Sequence, residues 1–130
     1  MNYSVEHQYK GIKIMVKPRY LEKESLSRPF FVHGYEVKIT NLNSFAVQLL
    51  QRHWEIYDSI EGTRVVKGPG VVGQTPILKP EETFKYSSFC PLKSSIGQMK
   101  GFYQFKNLET HELFNAAIPE FHLNLPGILN

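Results

Sequence analysis

The sequence predicts an all-β protein, a sandwich of seven to eight antiparallel strands. Three observations predict it. Apolar and polar residues alternate with period two in several short segments, the pattern of a strand with one buried face. Turn-forming residues punctuate the chain at short, fairly regular intervals, as in a sandwich. No segment carries a helical repeat longer than two turns, and the nine Phe, seven Tyr and one Trp suit a pleated core.

Taken in order, Ile12, Ile14 and Val16 alternate with Lys13, Met15 and Lys17. Tyr35, Val37 and Ile39 alternate with Glu36, Lys38 and Thr40. In the stretch Val47 to Tyr57, β-branched and aromatic content favours a strand over a helix. Extended, it places Leu50, Arg52, Trp54 and Ile56 on one face and Val47, Leu49, Gln51, His53, Glu55 and Tyr57 on the other. If it pairs with a strand around Arg64-Val65-Val66, Arg52, Arg64 and Lys67 come near the glycine run. Phe84, Tyr86 and Ser88 then alternate with Lys85, Ser87 and Phe89, and Gly101, Tyr103 and Phe105 with Phe102, Gln104 and Lys106. Turns are expected at Asn41 to Ser44, Asp58 to Gly62, Gly68 to Gly73, Lys79 to Glu81, Cys90-Pro91, Ile96-Gly97 and Asn107 to Thr110.

A chain of 130 residues, 42% apolar and 21% charged, is expected to form one globular domain rather than a disordered segment. Its net charge of +3 is too mild, and too unclustered, to predict nucleic-acid binding. The single cysteine, Cys90, has no intrachain partner and reads as a small buried hydrophobe rather than a reactive thiol. The N-terminus lacks a basic segment followed by an apolar one, and no run approaches the 18 apolar residues of a membrane helix. The expected location is the cytoplasm, without membrane insertion.

The run Gly68-Pro69-Gly70-Val71-Val72-Gly73 matches G-x-G-x-x-G, which wraps a pyrophosphate when a strand precedes it and a helix follows. Here Pro76 and Pro80 oppose a following helix, Pro69 removes one N–H from the loop, and no acid stands about 20 positions on. The loop is therefore a tight turn, or an anion site of another geometry. Successive N–H groups around Gly68, Gly70 and Gly73 would form the nest, assisted by Arg52, Arg64 or Lys67. Val71 and Val72 either pack on the core or stand out as a contact patch. Trp54 is a core candidate with interface as its alternative, and Arg52 would then lie along the edge of its ring.

No catalytic set is expected. The one aspartate, Asp58, lies in a turn, no serine occupies a nucleophile elbow, and Cys90 precedes a proline rather than opening a helix. No metal site is expected either: His7, His33, His53, His111 and His122 are scattered, and Glu81-Glu82 reads as a solvated turn.

Four segments resemble the ApaG family. Val47-Gln48-Leu49-Leu50-Gln51-Arg52-His53-Trp54 is similar to its V-Q-L-L-x-R-H-W, and Gly68 to Pro76 to its G-x-G-V-V-G-x-x-P. Tyr86 to Leu92, followed by Gly97 to Tyr103, is similar to Y-x-S-x-C-P-L and G-x-M-x-G-x-Y, and Ile118 to Phe121 to I-P-x-F. The resemblance runs from about residue 9 to 126 of a single domain, 1–130. It implies an immunoglobulin-like or fibronectin type III-like sandwich. It also implies a protein-binding role, since the domain occurs in eukaryotic F-box and DNA-polymerase-delta-interacting proteins. The family is further linked with cobalt and magnesium efflux or resistance, and its glycine motif with pyrophosphate. Its usual P-G-E turn reads Pro80-Glu81-Glu82 here. The resulting expectation is a non-enzymatic, cofactor-free interaction module with an unidentified protein partner. A phosphate-containing ligand is its alternative, an indirect metal-resistance role a further one, and a homodimer through a strand edge is compatible.

Overall fold

The computed structural model describes residues 3–26 and 30–125; residue 126, where the expected core ends, lies outside the described residues. The elements are β1 (Val5–Tyr9), β2 (Ile12–Tyr20), α1 (Glu22–Leu26), β3 (Phe31–Asn41), β4 (Val47–Asp58), β5 (Gly62–Pro69), β6 (Ile77–Leu78), β7 (Thr83–Leu92), β8 (Ile96–Asn107) and β9 (Leu113–Asn124). They form two antiparallel sheets, β1-β2-β3-β7 and β5-β4-β8-β9, with the two-residue β6 beside β4. The sheets face each other as a sandwich, as expected, with eight strands of ordinary length and one short addition.

The alternation in β2 and β3 selects the buried face as predicted: Ile12, Ile14, Val16, Tyr35, Val37 and Ile39 are all buried. Trp54 fills the centre of the opposing sheet and is only 3% exposed. Its ring meets Tyr35 of the first sheet at 5.5 Å, and Phe121 at 5.9 Å, both edge-on. Edge-to-face contacts of this kind place the positive rim of one ring against the negative face of another.

In β4 the strict alternation fails. The register against β8 slips between Leu49 and Gln51, so that Leu49 faces Phe105 while Gln51 faces Gln104. Leu50 is the extra residue of a β-bulge. Val47 and Leu49 before it, and Trp54 and Ile56 after it, therefore all turn to the core. A second irregularity lets Met99 face Phe121 while Gly101 faces Ile118, giving β9 one residue more than β8 over that interval.

Two expected turns are strand instead. Cys90-Pro91 lies within β7, and Ile96-Gly97 opens β8, with the turn between them. Proline is tolerated there because β7 ends its sheet and needs no second row of donors. Gly97 marks a close approach: a Cβ on it would lie 2.5 Å from the Tyr57 carbonyl oxygen.

Buried polar residues tie the ends of the sandwich. The Asn41 Nδ2 donates to the carbonyls of Phe45 and Leu78, and its Oδ1 accepts from the backbone N–H and Nδ2 of Asn43. Asp58 Oδ1 accepts from the Ile60 N–H at 2.9 Å, and Oδ2 from the Lys93 N–H at 2.7 Å. Burial alone would raise the Asp58 pKa, but these bonds to its charged form outweigh burial and hold it below the ordinary value. Asp58 is thereby a structural anion.

The Lys79–Glu82 turn is closed by a Glu82 N–H to Lys79 carbonyl bond of 3.0 Å. Glu81 sits at φ 71°, a left-handed conformation that favours glycine. The backbone is one that a glycine would take without cost, so the glutamate side chain carries the strain. Glu81→Gly is expected to raise stability by about 0.5 kcal/mol, the relief of left-handed strain less the entropy of glycine, measured by urea unfolding.

His33 is 1% exposed, against the Tyr20 ring, and its Nε2 has no hydrogen-bond partner among the described residues. Burial pushes its pKa down from 6.5 to about 4. The unfolded chain therefore binds a proton between pH 6.5 and about 4 that the folded chain excludes. Stability is expected to fall as pH drops through that window, by up to about 3 kcal/mol. Urea unfolding at stepped pH checks this, and His33→Phe should flatten the decline.

Candidate functional site

The two sides of the sandwich differ. On one side β9 packs against β1 and β2. On the other, the end strands β5 and β7 leave a cavity of about 400 Å³ between the sheets. Arg52 and Arg64 enter it from β4 and β5, and Tyr35, Tyr86, Ser88 and Cys90 from β3 and β7. Val71, Val72 and Gly73 cover it, and Trp54 and Met99 form part of its apolar floor.

Local structure places each of these groups. The Leu50 bulge sets the face from which Arg52 projects. Its Nη1 donates to the carbonyls of Pro69 at 2.9 Å and Gly70 at 3.1 Å, so the guanidinium pins the glycine-rich loop. Gly68 makes room for it, because a Cβ there would come within 3.2 Å of Arg52 Nη2. Arg64 reaches across the opening: its Nη2 donates to the Pro91 carbonyl at 3.2 Å and lies 3.7 Å from Cys90 Sγ. Neither arginine forms a salt bridge among the described residues.

The glycine run acts differently from the nest the sequence suggested. Two of its amides and the one that follows it are committed to backbone: Gly70 to Leu50, and Val71 and Gln74 to each other. Those last two bonds close a two-residue hairpin turn at Val72-Gly73, with φ 42° and 77°. Positive φ at both positions is the signature of a type I′ turn. Gly70 has no alternative, since a Cβ would meet the Gln74 carbonyl oxygen at 2.0 Å. The two valines divide the options left open by the sequence: Val71 is buried, whereas Val72 is 52% exposed. Lys67 projects from the outer face of β5, opposite His53, and does not line the cavity.

The sequence did not single out Tyr35, Tyr86 and Ser88 as site residues. Their signal was the alternation of β3 and β7, which points them inward together. Tyr86 shares a buried hydroxyl–hydroxyl bond with Tyr103, and burial raises the pKa of both phenols. Burial likewise pushes Cys90 up to about 11, despite the nearby Arg64, so its thiol stays protonated at neutral pH. No His, Asp or Glu lines the cavity, and no metal-ligating cluster occurs among the described residues. No helix among them is long and apolar enough to cross a membrane. The cavity thus offers two cations, several neutral hydroxyls and an apolar floor, the composition of an anion-binding site.

Comparison with known proteins gives consistent matches. The pattern of the ApaG domain family matches residues 21–107. The Protein ApaG of Sinorhizobium fredii is 41% identical over 121 residues, which is 92% of each chain. That of a Methylobacterium species is 44% identical over 122 residues, again 92% of each. A crystal structure assigned as an ApaA protein from Bordetella pertussis superposes with a TM-score of 0.84 at 43% identity, covering 89% of this chain and 94% of that one.

A β-branched residue at positive φ is strained, and the type I′ turn prefers Asn at this position. Val72→Asn is accordingly expected to stabilise the fold by about 1 kcal/mol, read as an upward shift of the urea midpoint with unchanged slope.

Proposed function

The chain belongs to the ApaG domain family, and on that premise we propose that it is a non-enzymatic interaction module that takes an anionic group of its partner into the Arg52–Arg64 cavity. One observation carries this reading: two guanidinium groups share a concave, partly apolar site without a carboxylate to neutralise them. Two like charges lining one cavity favour an incoming anion, and the low-polarity floor strengthens the attraction. Arg52 supplies a fixed charge, because it is pinned to the loop, while Arg64 spans the mouth.

Several features favour binding over turnover. The lining contains no general base, the Cys90 thiol is protonated, and Asp58 is committed to backbone N–H groups elsewhere. A phosphate-containing small molecule is the alternative occupant of the same cavity, held by the arginines rather than by a nest of glycine amides. A part in cobalt or magnesium resistance would then be indirect. A single cysteine without a disulfide partner fits a cytoplasmic setting.

Pyrophosphate is a compact probe. Titrated into labelled protein at low salt, it is expected to shift the amides of Val71 to Gln74 and those near Arg64 saturably. The response should weaken at physiological salt, where exposed charge contacts are screened. Arg64→Gln should reduce the affinity about tenfold, the equivalent of one charged contact. A flat titration at millimolar pyrophosphate would sink the reading.

A further inference from the structure

The strand beside the cavity is itself unpartnered. β5 ends its sheet, pairing only with β4 among the described residues. Residues 63–67 are all exposed, including Val65 at 54% and Val66 at 39%. Edge strands are usually blunted by shortness, charged side chains, a bulge or an interior proline. β5 is 8 residues long, its register with β4 runs unbroken from Gly62 to Pro69, and its proline is terminal, so its protection is by charge alone; Arg64 and Lys67 repel a cationic edge but attract an acidic one. The other edge strand on the cavity side, β7, is protected, because Pro91 lies within it and Arg64 already occupies the Pro91 carbonyl.

We propose that β5 is a docking edge that adds an extended acidic segment of a partner protein as a further strand, bringing one of its carboxylates to the mouth of the Arg52–Arg64 cavity. The proposal rests on the anion-binding reading of that cavity and names what carries the anion. Charge argues for the occupant. The only charged residues of β5 are Arg64 and Lys67, both cationic, with two apolar residues between them. Arg64 and Val66 line the cavity, whereas Val65 and Lys67 lie on the other face, across from Glu55 and His53. An incoming strand matches this edge when it presents acid, apolar, apolar, acid. A second copy of this chain fits poorly: antiparallel self-pairing centred between Val65 and Val66 would oppose Arg64 to the other copy's Lys67, and like charges directly opposite are destabilising. Main-chain hydrogen bonds would supply affinity, and the two cations the selection of sequence.

The test uses the acetylated, amidated hexapeptide Thr-Glu-Val-Val-Glu-Thr, which reads the same in both strand directions. Saturable shifts in β5, with slowed hydrogen exchange of its amides, are expected. N-methylation of the four central peptide amides, which leaves the side chains in place but removes the donors, should weaken binding at least about tenfold. The double change Arg64→Gln and Lys67→Gln should weaken it by a comparable factor. Equal binding of the N-methylated peptide would overturn the proposal, as would β5-mediated dimers seen by sedimentation without peptide. If pyrophosphate binds and the peptide does not, strand addition fails and the anion reading stands. If neither binds, both fail.

Discussion

The bulge at Leu50 is the constraint on which the rest of the structure depends. β4 is the central strand of its sheet, with β8 on one side and β6 followed by β5 on the other. A regular strand would have to bury either Val47 and Leu49 or Trp54 and Ile56, never both, since a one-residue step reverses every side chain. One extra residue resolves the conflict and lets both apolar sets enter a single core. The bulge also reaches beyond packing. Its Leu50 carbonyl accepts the Gly70 N–H, and the Leu49 N–H finds the Pro76 carbonyl. The loop from Gly70 to Pro76 is thereby fastened over the point where β4 exchanges β5 for β6.

Arg52 completes that arrangement. It lies just beyond the bulge, opposite Gly68, and its guanidinium takes two loop carbonyls, those of Pro69 and Gly70. A lysine could not replace this planar group without losing its geometry. The same side chain is both the clasp of the turn and one wall of the cavity. Structural and recognition roles are therefore coupled: the site exists in its present shape because the loop is held, and the loop is held by part of the site. Arg64 differs. It tethers the opposite sheet through Pro91, where the apolar core gives out and the edges diverge.

The glycine run shows how one sequence pattern can serve another purpose. Gly68 leaves space for a guanidinium, Gly70 permits close passage of backbone, and Gly73 supplies the second positive φ of a hairpin turn. None of these demands a phosphate. The prolines that follow already argued against a helix, and none forms. What the pattern could not convey is that three loop amides point inward to carbonyls, leaving the arginines to create the positive field. The exposed Val72 remains the strained residue at the cavity's cover, and backbone strain of this kind gathers at functional surfaces.

By itself the sequence determined the β-sandwich and the buried faces of β2, β3, β7 and β8, and it favoured Cys90 and Trp54 as core residues. Period-two alternation and turn chemistry are local, so they are legible from neighbours in the chain. Tertiary structure alone decided the rest. The bulge arises from satisfying two apolar sets at once, and nothing in the spacing of Val47 to Ile56 marks which residue is extra. The extended course of Cys90-Pro91, where a turn was expected, depends on β7 being a terminal strand. The cavity gathers Tyr35, Arg52, Arg64, Tyr86 and Ser88 from four strands of two sheets. Its charge is visible only once those strands converge and no carboxylate comes with them, because convergence is a property of sheet order and register rather than of any local pattern.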